Sequence, residues 1–308
     1  MALRSNAGEG EDGAVNSNAR GREESLCIAM ETKGAGFMKM WGYKDRFGVI
    51  GNGARRAGQN GKTVLVTGAT SGIGLAMARE FASRGCHLVL SASRERPLRK
   101  VAARLEREFP FSVIAVICQN LAEDGGGIGL YEKVSDRNIT VDVLVNNAGF
   151  GLVGEEISLS LVRERDMIGV NIAAVTELTH LFLRDMCQRG EGKILNVASV
   201  GAFQPGPYTG AYYATKAYVA NYSRALRVEA KKYGVQVSVL CPGTTRTAFF
   251  DKAGSAVPIW AMSARKVAKA AFRGLEKNRE MIVPGAGNKL LRLLPQRVKL
   301  QGVAMLKR

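Results

Sequence analysis

Two adjacent tyrosines and a lysine are the first residues whose types and spacing could support chemistry. The stretch YTGAYYATKAYV (208–219) places Tyr212 four residues and Tyr213 three residues before Lys216. On a helix, positions three and four apart are neighbours, so either tyrosine could face the lysine. A phenol has a reference pKa of about 10, and a nearby ammonium lowers that pKa by favouring the phenolate. The pattern indicates an acid–base pair, and spacing alone leaves open which tyrosine carries the proton.

A glycine-rich turn follows the first strand-like run of the chain. KTVLVTG (62–68) passes directly into ATSGIG (69–74). Gly68 allows a tight turn, Gly72 lets the backbone approach a pyrophosphate, and Gly74 permits close packing of helix against strand. The N-terminus of the next helix would present free N–H groups and a positive dipole end to a phosphate. The predicted dinucleotide loop consists of Gly68, Thr70, Ser71, Gly72, Ile73 and Gly74.

The end of the second strand indicates which dinucleotide is bound. Sites that prefer NAD place an acidic residue about 20 residues past the glycine turn, on the ribose 2′-hydroxyl. Residues 90–94 read LSASR and contain no acid. Ser93 and Arg94 could instead hold a 2′-phosphate, because a guanidinium matches phosphate geometry. We therefore expect NADP(H) rather than NAD(H). The alternative is that Arg94 merely begins a solvated charged helix.

The elements that must position these residues alternate between strand-like and helix-like runs. Seven short apolar runs have the length and residue types of buried strands, and segments of helical length separate them. Such alternation predicts βαβ units and one mainly parallel sheet with helices on both faces. Right-handed crossovers then give a doubly wound α/β fold in a single domain. The predicted strands lie in residues 62–68, 86–92, 111–118, 141–147, 193–199, 235–241 and 280–285.

Composition divides the chain into three parts. Residues 1–58 are rich in Gly, Asn, Ser and charge without a clear period, so we expect a poorly ordered N-terminal extension. Residues 59–286 carry the alternating pattern and form the predicted dinucleotide-binding catalytic domain. Residues 287–308 mix leucine with lysine and arginine in a basic amphipathic tail. The formal net charge of +17 is concentrated near the C-terminus, so it says little about the main domain.

Cysteine and histidine usage argues against several classes of site. The five cysteines are scattered and form no CxxC pair, which argues against a disulfide framework or a zinc site. The two histidines have no cysteine or acidic cluster around them, so we expect no metal. No apolar run reaches the roughly 18 residues of a membrane span, and the N-terminus lacks the apolar core of a secretory signal. We therefore expect a cytoplasmic protein.

Several motifs in order resemble those of the short-chain dehydrogenase/reductase superfamily. The glycines are spaced GxxxGxG, NNAG (146–149) follows, and YxxxK covers Tyr212 to Lys216. The resemblance extends over about residues 60–285, and LVNNAGFGLVGE (144–155) looks most like NADP-dependent members of bacterial type. It implies a Rossmann-like seven-stranded sheet and an enzyme that acts on a CH–OH/C=O pair with NAD(P).

The resemblance also assigns roles to the candidate catalytic residues. YxxxK selects Tyr212 as general acid/base, and Lys216 lowers its pKa and holds the ribose. Ser199, thirteen residues before Tyr212, would orient the substrate oxygen, and Asn171 in VN (170–171) would hold a water in a proton relay. Tyr213 then becomes a packing neighbour, about 100° further round the helix.

Further cofactor contacts follow from the same resemblance. NNAG brings its last three residues to the dinucleotide, and CPGTTRT (241–247) matches the Pro-Gly segment that wraps the nicotinamide. One departure is Asn120-Leu121, where the family usually has Asp-Leu; an amide oxygen can still accept a hydrogen bond from the adenine amine. These implied contacts are Asn120, Leu121, Asn147, Ala148, Gly149, Tyr212, Lys216, Pro242, Gly243, Thr245 and Thr247.

Substrate specificity in such folds comes from loops beyond the carboxyl ends of the strands. The candidates are residues 150–156, 200–210 and 247–260, and the last contains Phe249, Phe250, Pro258, Ile259 and Trp260. This composition predicts an apolar lid over a lipophilic carbonyl or alcohol. The alternative is that these aromatic and apolar side chains pack on the domain itself.

The function expected from these observations is hydride transfer between NADP(H) and a small-molecule carbonyl or secondary alcohol. The alternative is a catalytically quiet NADP-binding regulatory or scaffold protein on the same fold. The family is commonly dimeric or tetrameric, so we expect a homo-oligomer. The tail (287–308) could lie on an anionic membrane surface, on a neighbouring subunit or on its own core. Without a recognised nucleic-acid module, the basic tail does not predict nucleic-acid binding.

Overall fold

The computed structural model describes residues 61–247, 261–291 and 295–307. Strands and helices alternate along these residues, as the sequence predicts. The strands are β1 (Thr63–Thr67), β2 (His87–Ala92), β3 (Ile114–Cys118), β4 (Val143–Asn146), β5 (Gly192–Val197), β6 (Val235–Leu240), β7 (Thr245–Arg246), β8 (Met262–Ser263) and β9 (Met281–Ile282). The helices are α1 (Gly72–Ala82), α2 (Glu95–Glu108), α3 (Gly126–Ser135), α4 (Leu161–Ile168), α5 (Ala174–Arg189), α6 (Gly210–Ala230), α7 (Ala264–Glu276), α8 (Ala286–Leu291) and α9 (Gln296–Lys307).

Seven of the strands form one parallel sheet in the order β3-β2-β1-β4-β5-β6-β9. The strand order reverses between β1 and β4, where Val66 pairs with Val145. Ligands of doubly wound sheets bind outside the carboxyl ends of the strands at such a switch point. β7 and β8 make a separate two-stranded parallel ribbon. The predicted Rossmann-like fold is confirmed.

The first strand shows why these runs form a buried parallel sheet. All five residues of β1 are buried, and Val64, Leu65 and Val66 are fully inaccessible to solvent. Such strands have helices against both faces, which explains their continuous apolar runs. On one face, α1 packs against α7, and the rings of Phe81 and Phe272 meet edge to face with centroids 5.5 Å apart.

A buried polar network ties the central strands to the helices on the other face. Asn146 Nδ2 donates to Asn196 Oδ1 (2.9 Å) and to Thr179 Oγ1 (3.0 Å), and Asn196 Nδ2 donates to Ser223 Oγ (3.0 Å). Such hydrogen bonds offset the loss of water by buried polar groups. The network holds β4 and β5 in register against α5 and α6, just below the carboxyl ends of the strands.

A continuous helical stretch, Leu161–Arg189, is long enough and apolar enough to cross a membrane. It consists of α4, a π-helical turn (Gly169–Ala173) and α5. Asn171 and Thr179 within it are completely buried and hydrogen-bonded to other parts of the domain. These contacts are those of a core helix, and length and composition alone do not make it a membrane span.

Candidate active site

Ser199 and Tyr212 meet from two different elements. Ser199 lies directly after β5 and is the N-cap of a 3₁₀ turn (Val200–Phe203), where its Oγ accepts the N–H of Gly201 at 3.1 Å. Tyr212 lies in the first turn of α6, and its side chain is hydrogen-bonded to that of Ser199. The chain thus brings together the two groups that the sequence assigns to proton transfer and substrate orientation.

Lys216 lies one helical turn beyond Tyr212 and is almost completely buried. Its Nζ donates to the carbonyl of Val197 at 3.0 Å and lies 5.8 Å from the centroid of the Tyr212 ring. Burial lowers the pKa of Lys216 to about 8, and the neighbouring Cys241 raises it by a smaller amount. The ammonium is thus held beside the end of β5 by a backbone oxygen.

The pKa of Tyr212 is raised, whereas the sequence led us to expect that Lys216 would lower it. Burial raises the pKa of Tyr212 to about 12, the hydrogen bond from Ser199 lowers it, and Tyr213 raises it further. Desolvation therefore outweighs the opposing effects, because a buried phenolate loses its water. In the chain by itself, Tyr212 holds its proton throughout the neutral range.

Tyr213 lies against the substrate-side loop. A Cβ built on Gly206 would lie 2.5 Å from atoms of the Tyr213 ring, and one on Gly201 would lie 3.2 Å from it. The ring centroids of Tyr212 and Tyr213 are 6.0 Å apart. Tyr213 therefore supports the loop that follows Ser199. Of the two tyrosines, Tyr212 is the one described with a hydrogen bond to the serine side chain.

Asn171 occupies the π-helical turn, an irregularity frequent at functional sites. Its Nδ2 donates to the carbonyl of Phe150 (2.9 Å) and to Thr215 Oγ1 (3.0 Å), and its Oδ1 accepts the N–H of Phe150 (3.2 Å). A Cβ on Gly149 would lie 2.8 Å from Asn171 Oδ1 and 3.2 Å from Lys216 Nζ. The amide oxygen and the ammonium therefore converge on one glycine, where only a residue without a side chain fits.

The glycine turn has the conformation that a dinucleotide loop requires. Gly68 and Gly72 have φ values of +65° and +57°, a region that glycine adopts without the steric cost of a Cβ. A Cβ on Gly74 would collide with the carbonyl of Gly68 and would lie 2.5 Å from Asn147 Nδ2. A Cβ on Gly72 would meet Thr247 at 3.0 Å, so the last described residue of the Pro-Gly segment reaches the glycine turn.

Asn147 and Ala148 join the glycine turn to the end of β4. Asn147 Nδ2 donates to the carbonyl of Thr67 (2.9 Å), and the N–H of Ala148 donates to Thr67 Oγ1 (2.9 Å). Sequence reasoning missed Thr67, although it precedes Gly68 directly. Its hydroxyl and carbonyl hold the end of β1 against the residues that follow β4, the two strands on either side of the switch point.

The predicted adenosine contacts lie at the ends of β2 and β3. Ser93 and Arg94 are exposed between β2 and α2. Asn120 Oδ1 accepts the N–H of Ala122 (3.2 Å) and its Nδ2 donates to Glu123 Oε1 (3.1 Å). Because an amide oxygen has two lone pairs, Asn120 retains one for an adenine amine. Leu121 is buried beside it.

The Pro-Gly segment is supported by the C-terminal part of the chain. The carbonyl of Pro242 accepts the N–H of Val200 (3.0 Å), and Thr245 Oγ1 donates to the carbonyl of Gly243 (2.8 Å). The side chain of Asn288 lies directly over Gly243, leaving no room for a Cβ there, and donates to the carbonyl of Pro284 (2.7 Å). Nothing in the sequence pattern indicated this role for Asn288. The predicted lid residues 248–260 lie outside the described residues.

Comparisons with known proteins match this chain to one family and to several of its relatives. The family model for short chain dehydrogenase matches residues 62–257. A very-long-chain 3-oxoacyl-CoA reductase-B of Danio rerio is 35% identical over 204 residues, 64% of each chain. The inactive hydroxysteroid dehydrogenase-like protein 1 of Homo sapiens is 33% identical over 199 residues, 63% of this chain and 58% of that protein. These alignments span less than two thirds of either curated relative.

A solved structure matches the described fold. It is a short-chain dehydrogenase from Sphingobium yanoikuyae in complex with NADPH, with a TM-score of 0.70 and 29% sequence identity over 80% of this chain and 94% of that chain. The resemblance to members of bacterial type stays a prediction, because the relatives named come from both vertebrates and a bacterium.

Proposed function

The chain belongs to the short-chain dehydrogenase/reductase family, and on that premise we propose that it is an NADP(H)-dependent reductase of lipophilic carbonyl compounds. Members of this family are oxidoreductases that act on a CH–OH/C=O pair with NAD(P). The observation that carries the proposal is the hydrogen bond between Ser199 and Tyr212 with the buried Lys216 one turn away. A protein that only bound nucleotide would not need this set of groups.

The glycine turn fits a dinucleotide, because Gly68 and Gly72 have positive φ values and Gly74 lies too close to the Gly68 carbonyl for a side chain. This is the tight strand–turn–helix geometry that a dinucleotide loop needs. When bound, the cofactor supplies the hydride, and the protein must position the carbonyl and move a proton. Ser199 Oγ already accepts a backbone N–H, so its own proton is directed to Tyr212 or to a substrate oxygen.

Tyr212 is suited to the reducing direction. With a pKa raised to about 12 it remains protonated at neutral pH and can donate its proton to an alkoxide as that charge develops. Lys216, held by Val197, would support the phenolate left behind and would bind the ribose. The convergence of Asn171 Oδ1 and Lys216 Nζ on Gly149 supports a water relay that returns the proton.

We propose NADP(H) over NAD(H) as the cofactor. The support is the absence of an acid from residues 90–94 and the exposure of Ser93 and Arg94 at the end of β2. Phosphate favours a guanidinium partner through paired hydrogen bonds. The solved relative in complex with NADPH is consistent with this preference.

We propose a long-chain 3-oxoacyl thioester or a similarly bulky ketone as the substrate. The support is the Danio rerio relative, named as a very-long-chain 3-oxoacyl-CoA reductase, together with the apolar composition of residues 247–260. Two loops on the substrate side are joined to each other: Thr209 Oγ1 donates to the carbonyl of Leu152 (2.9 Å), and the N–H of Gly154 donates to the carbonyl of Tyr208 (2.8 Å).

The experiment that tests the proposal follows NADPH absorbance with the purified chain and 3-oxoacyl thioesters of increasing length. We expect kcat/KM to rise with chain length and to be larger with NADPH than with NADH. Turnover of short charged carbonyls alone would refute the lipophilic substrate, and a preference for NADH would refute the cofactor.

A second candidate is a catalytically quiet NADP-binding protein, favoured by the likeness to a human relative named as inactive. The same assay distinguishes the two candidate functions. A quiet protein would bind NADPH, measured by its fluorescence, and would turn over no carbonyl substrate. The hydrogen-bonded Ser199 and Tyr212 favour the enzyme.

Location and assembly are further proposals. We propose a cytoplasmic location, because the cysteines are scattered through the sequence without a CxxC pair, which fits a reducing compartment. Leu290, Val298 and Met305 of the tail are exposed to 64%, 52% and 82% among basic residues, which supports peripheral contact with an anionic membrane surface. Sedimentation with anionic liposomes, with and without residues 287–308, tests this contact. Light scattering after gel filtration tests the homo-oligomer.

A further inference from the structure

The last described helix, α9, presents one narrow face to the domain. Most of its residues are exposed, but Lys299 and Val303 are only 7% and 8% exposed. These two residues are four positions apart, and Gln296 is three positions before Lys299, so the three lie along one side of the helix. Lysine is almost never buried without a partner, because its ammonium loses water. The side of α9 that contains Lys299 therefore has a specific contact.

The two polar side chains of this face donate to one backbone oxygen. Lys299 Nζ donates to the carbonyl of Phe203 at 3.1 Å, and Gln296 Nε2 donates to the same oxygen at 3.2 Å. Phe203 is the last residue of the 3₁₀ turn Val200–Phe203. The last carbonyls of a helical turn lack partners within it, and a cation is favoured there. Both lone pairs of this oxygen are thus used by the tail.

The same turn begins at the candidate catalytic serine. Ser199 is its N-cap, and Ser199 Oγ accepts the N–H of Gly201. The opposite side of the loop is bounded by Tyr213, whose ring leaves no room for a side chain at Gly206. The turn is therefore held at its start by Ser199, at its side by Tyr213 and at its end by Lys299.

We propose that Lys299 is a positioning residue of the reaction, which acts through the Phe203 carbonyl to hold the turn that orients Ser199. The tail helix then forms part of the active-site architecture, beyond any role at a membrane. This inference deepens the proposed function, since it concerns the orientation of the same serine. Lys299 itself need not contact substrate or cofactor.

The experiment compares Lys299→Met with the matched control Arg297→Met, which removes an exposed cation from the same helix. We expect Lys299→Met to lower kcat about 10- to 100-fold, since displacement of a catalytic group by about 1 Å has effects of this size. The NADPH dissociation constant should stay within twofold, and Lys299→Arg should restore at least half of kcat. Arg297→Met should match the wild type.

Hydrogen exchange provides a readout that does not depend on turnover. In Lys299→Met, the amides of residues 200–206 should exchange faster, whereas those of β1 should not change. If the wild type turns over no carbonyl, the proposed function fails, and the exchange result still judges the positioning role. An unchanged kcat with unchanged exchange overturns the inference. A parallel loss of kcat, cofactor binding and thermal stability indicates general unfolding of Lys299→Met. Gln296→Met, which removes the other donor to the Phe203 carbonyl, then decides by the same two readouts, and unchanged kcat with unchanged exchange overturns the inference.

Discussion

The side chain of Ser199 is hydrogen-bonded to that of Tyr212, and the Ser199 hydroxyl also accepts the N–H of Gly201 at 3.1 Å. One hydroxyl therefore links the end of β5, a 3₁₀ turn and the first turn of α6. Because the backbone N–H is itself a donor, the serine proton is available for a hydrogen bond to the tyrosine or to a substrate oxygen. This relationship underlies the proposed reaction and the variants that test it.

Tyr212→Phe should lower kcat by about 10² to 10⁴-fold, the usual contribution of a positioned general acid. Binding of NADPH should persist, because the phenol does not shape the glycine turn. The matched control is Tyr213→Phe, which keeps the ring that packs on Gly201 and Gly206 and should retain most activity. Steady-state kinetics and NADPH fluorescence measure both effects. Equal activity of Tyr212→Phe and the wild type would contradict the assignment.

Lys216→Met should change how stability depends on pH. The folded-state pKa of Lys216 is about 8, below the ordinary value of 10.5, so the unfolded chain binds more protons between these values. The free energy of unfolding of the wild type is therefore lower at neutral pH. It rises by about 3 kcal/mol at most as the pH increases from about 8 to about 10. Lys216→Met should lack this gain. Denaturant titrations at pH 7, 8, 9 and 10 measure the difference, and parallel curves for both proteins would contradict it.

Gly74→Ala should abolish dinucleotide binding, because the added methyl collides with the carbonyl of Gly68 and with Asn147 Nδ2. Backbone cannot move aside as a flexible side chain can. Gly302→Ala is the control, since a Cβ there meets nothing within 4 Å. In a helix interior this change should stabilise the protein by roughly 0.5–1 kcal/mol. Calorimetric titration with NADPH and thermal unfolding test the pair, and normal binding by Gly74→Ala would refute the cofactor site.

Arg94→Ala should reduce kcat/KM for NADPH about 10- to 100-fold while leaving that for NADH nearly unchanged. Hydrogen bonds to charged groups contribute about 1.5–3 kcal/mol, which corresponds to this range. Arg99→Ala is a suitable control, since Arg99 already pairs with Glu95 on the surface of α2. An equal loss with both cofactors would mean that Arg94 does not read the 2′-phosphate.

Much of the fold was predictable because each strand has its own local signal. The run KTVLVTG predicted a strand, and β1 covers Thr63–Thr67; VQVSVLC predicted another, and β6 covers Val235–Leu240. The observed strand ends differ from the predicted ones by a few residues where apolar residues flank a strand. In FSVIAVIC (111–118), for example, the strand covers only Ile114–Cys118. The sequence pattern predicts the type of an element better than its first and last residues, because these depend on hydrogen bonds to neighbouring strands.

The candidate catalytic residues came from residue type, spacing and the family resemblance, but the direction of their pKa shifts did not. Tyr212 and Lys216 are one turn apart, which led us to expect a lowered tyrosine pKa. The tertiary structure removes water from both side chains, so burial raises the pKa of Tyr212 and lowers that of Lys216. The convergence of Asn171 and Lys216 on Gly149 likewise joins three separate segments, and no single stretch of sequence contains it.

The sequence by itself determined the alternating elements, the glycine turn and the candidate set Ser199, Tyr212 and Lys216, because each depends on residues close together in the chain. Only the tertiary structure decided which tyrosine is hydrogen-bonded to Ser199, how burial shifts the proton affinities, and where the tail lies. The contacts of Asn288 with Gly243 and of Lys299 with Phe203 join residues far apart in sequence. Such contacts arise from packing around a common core, which local patterns do not encode.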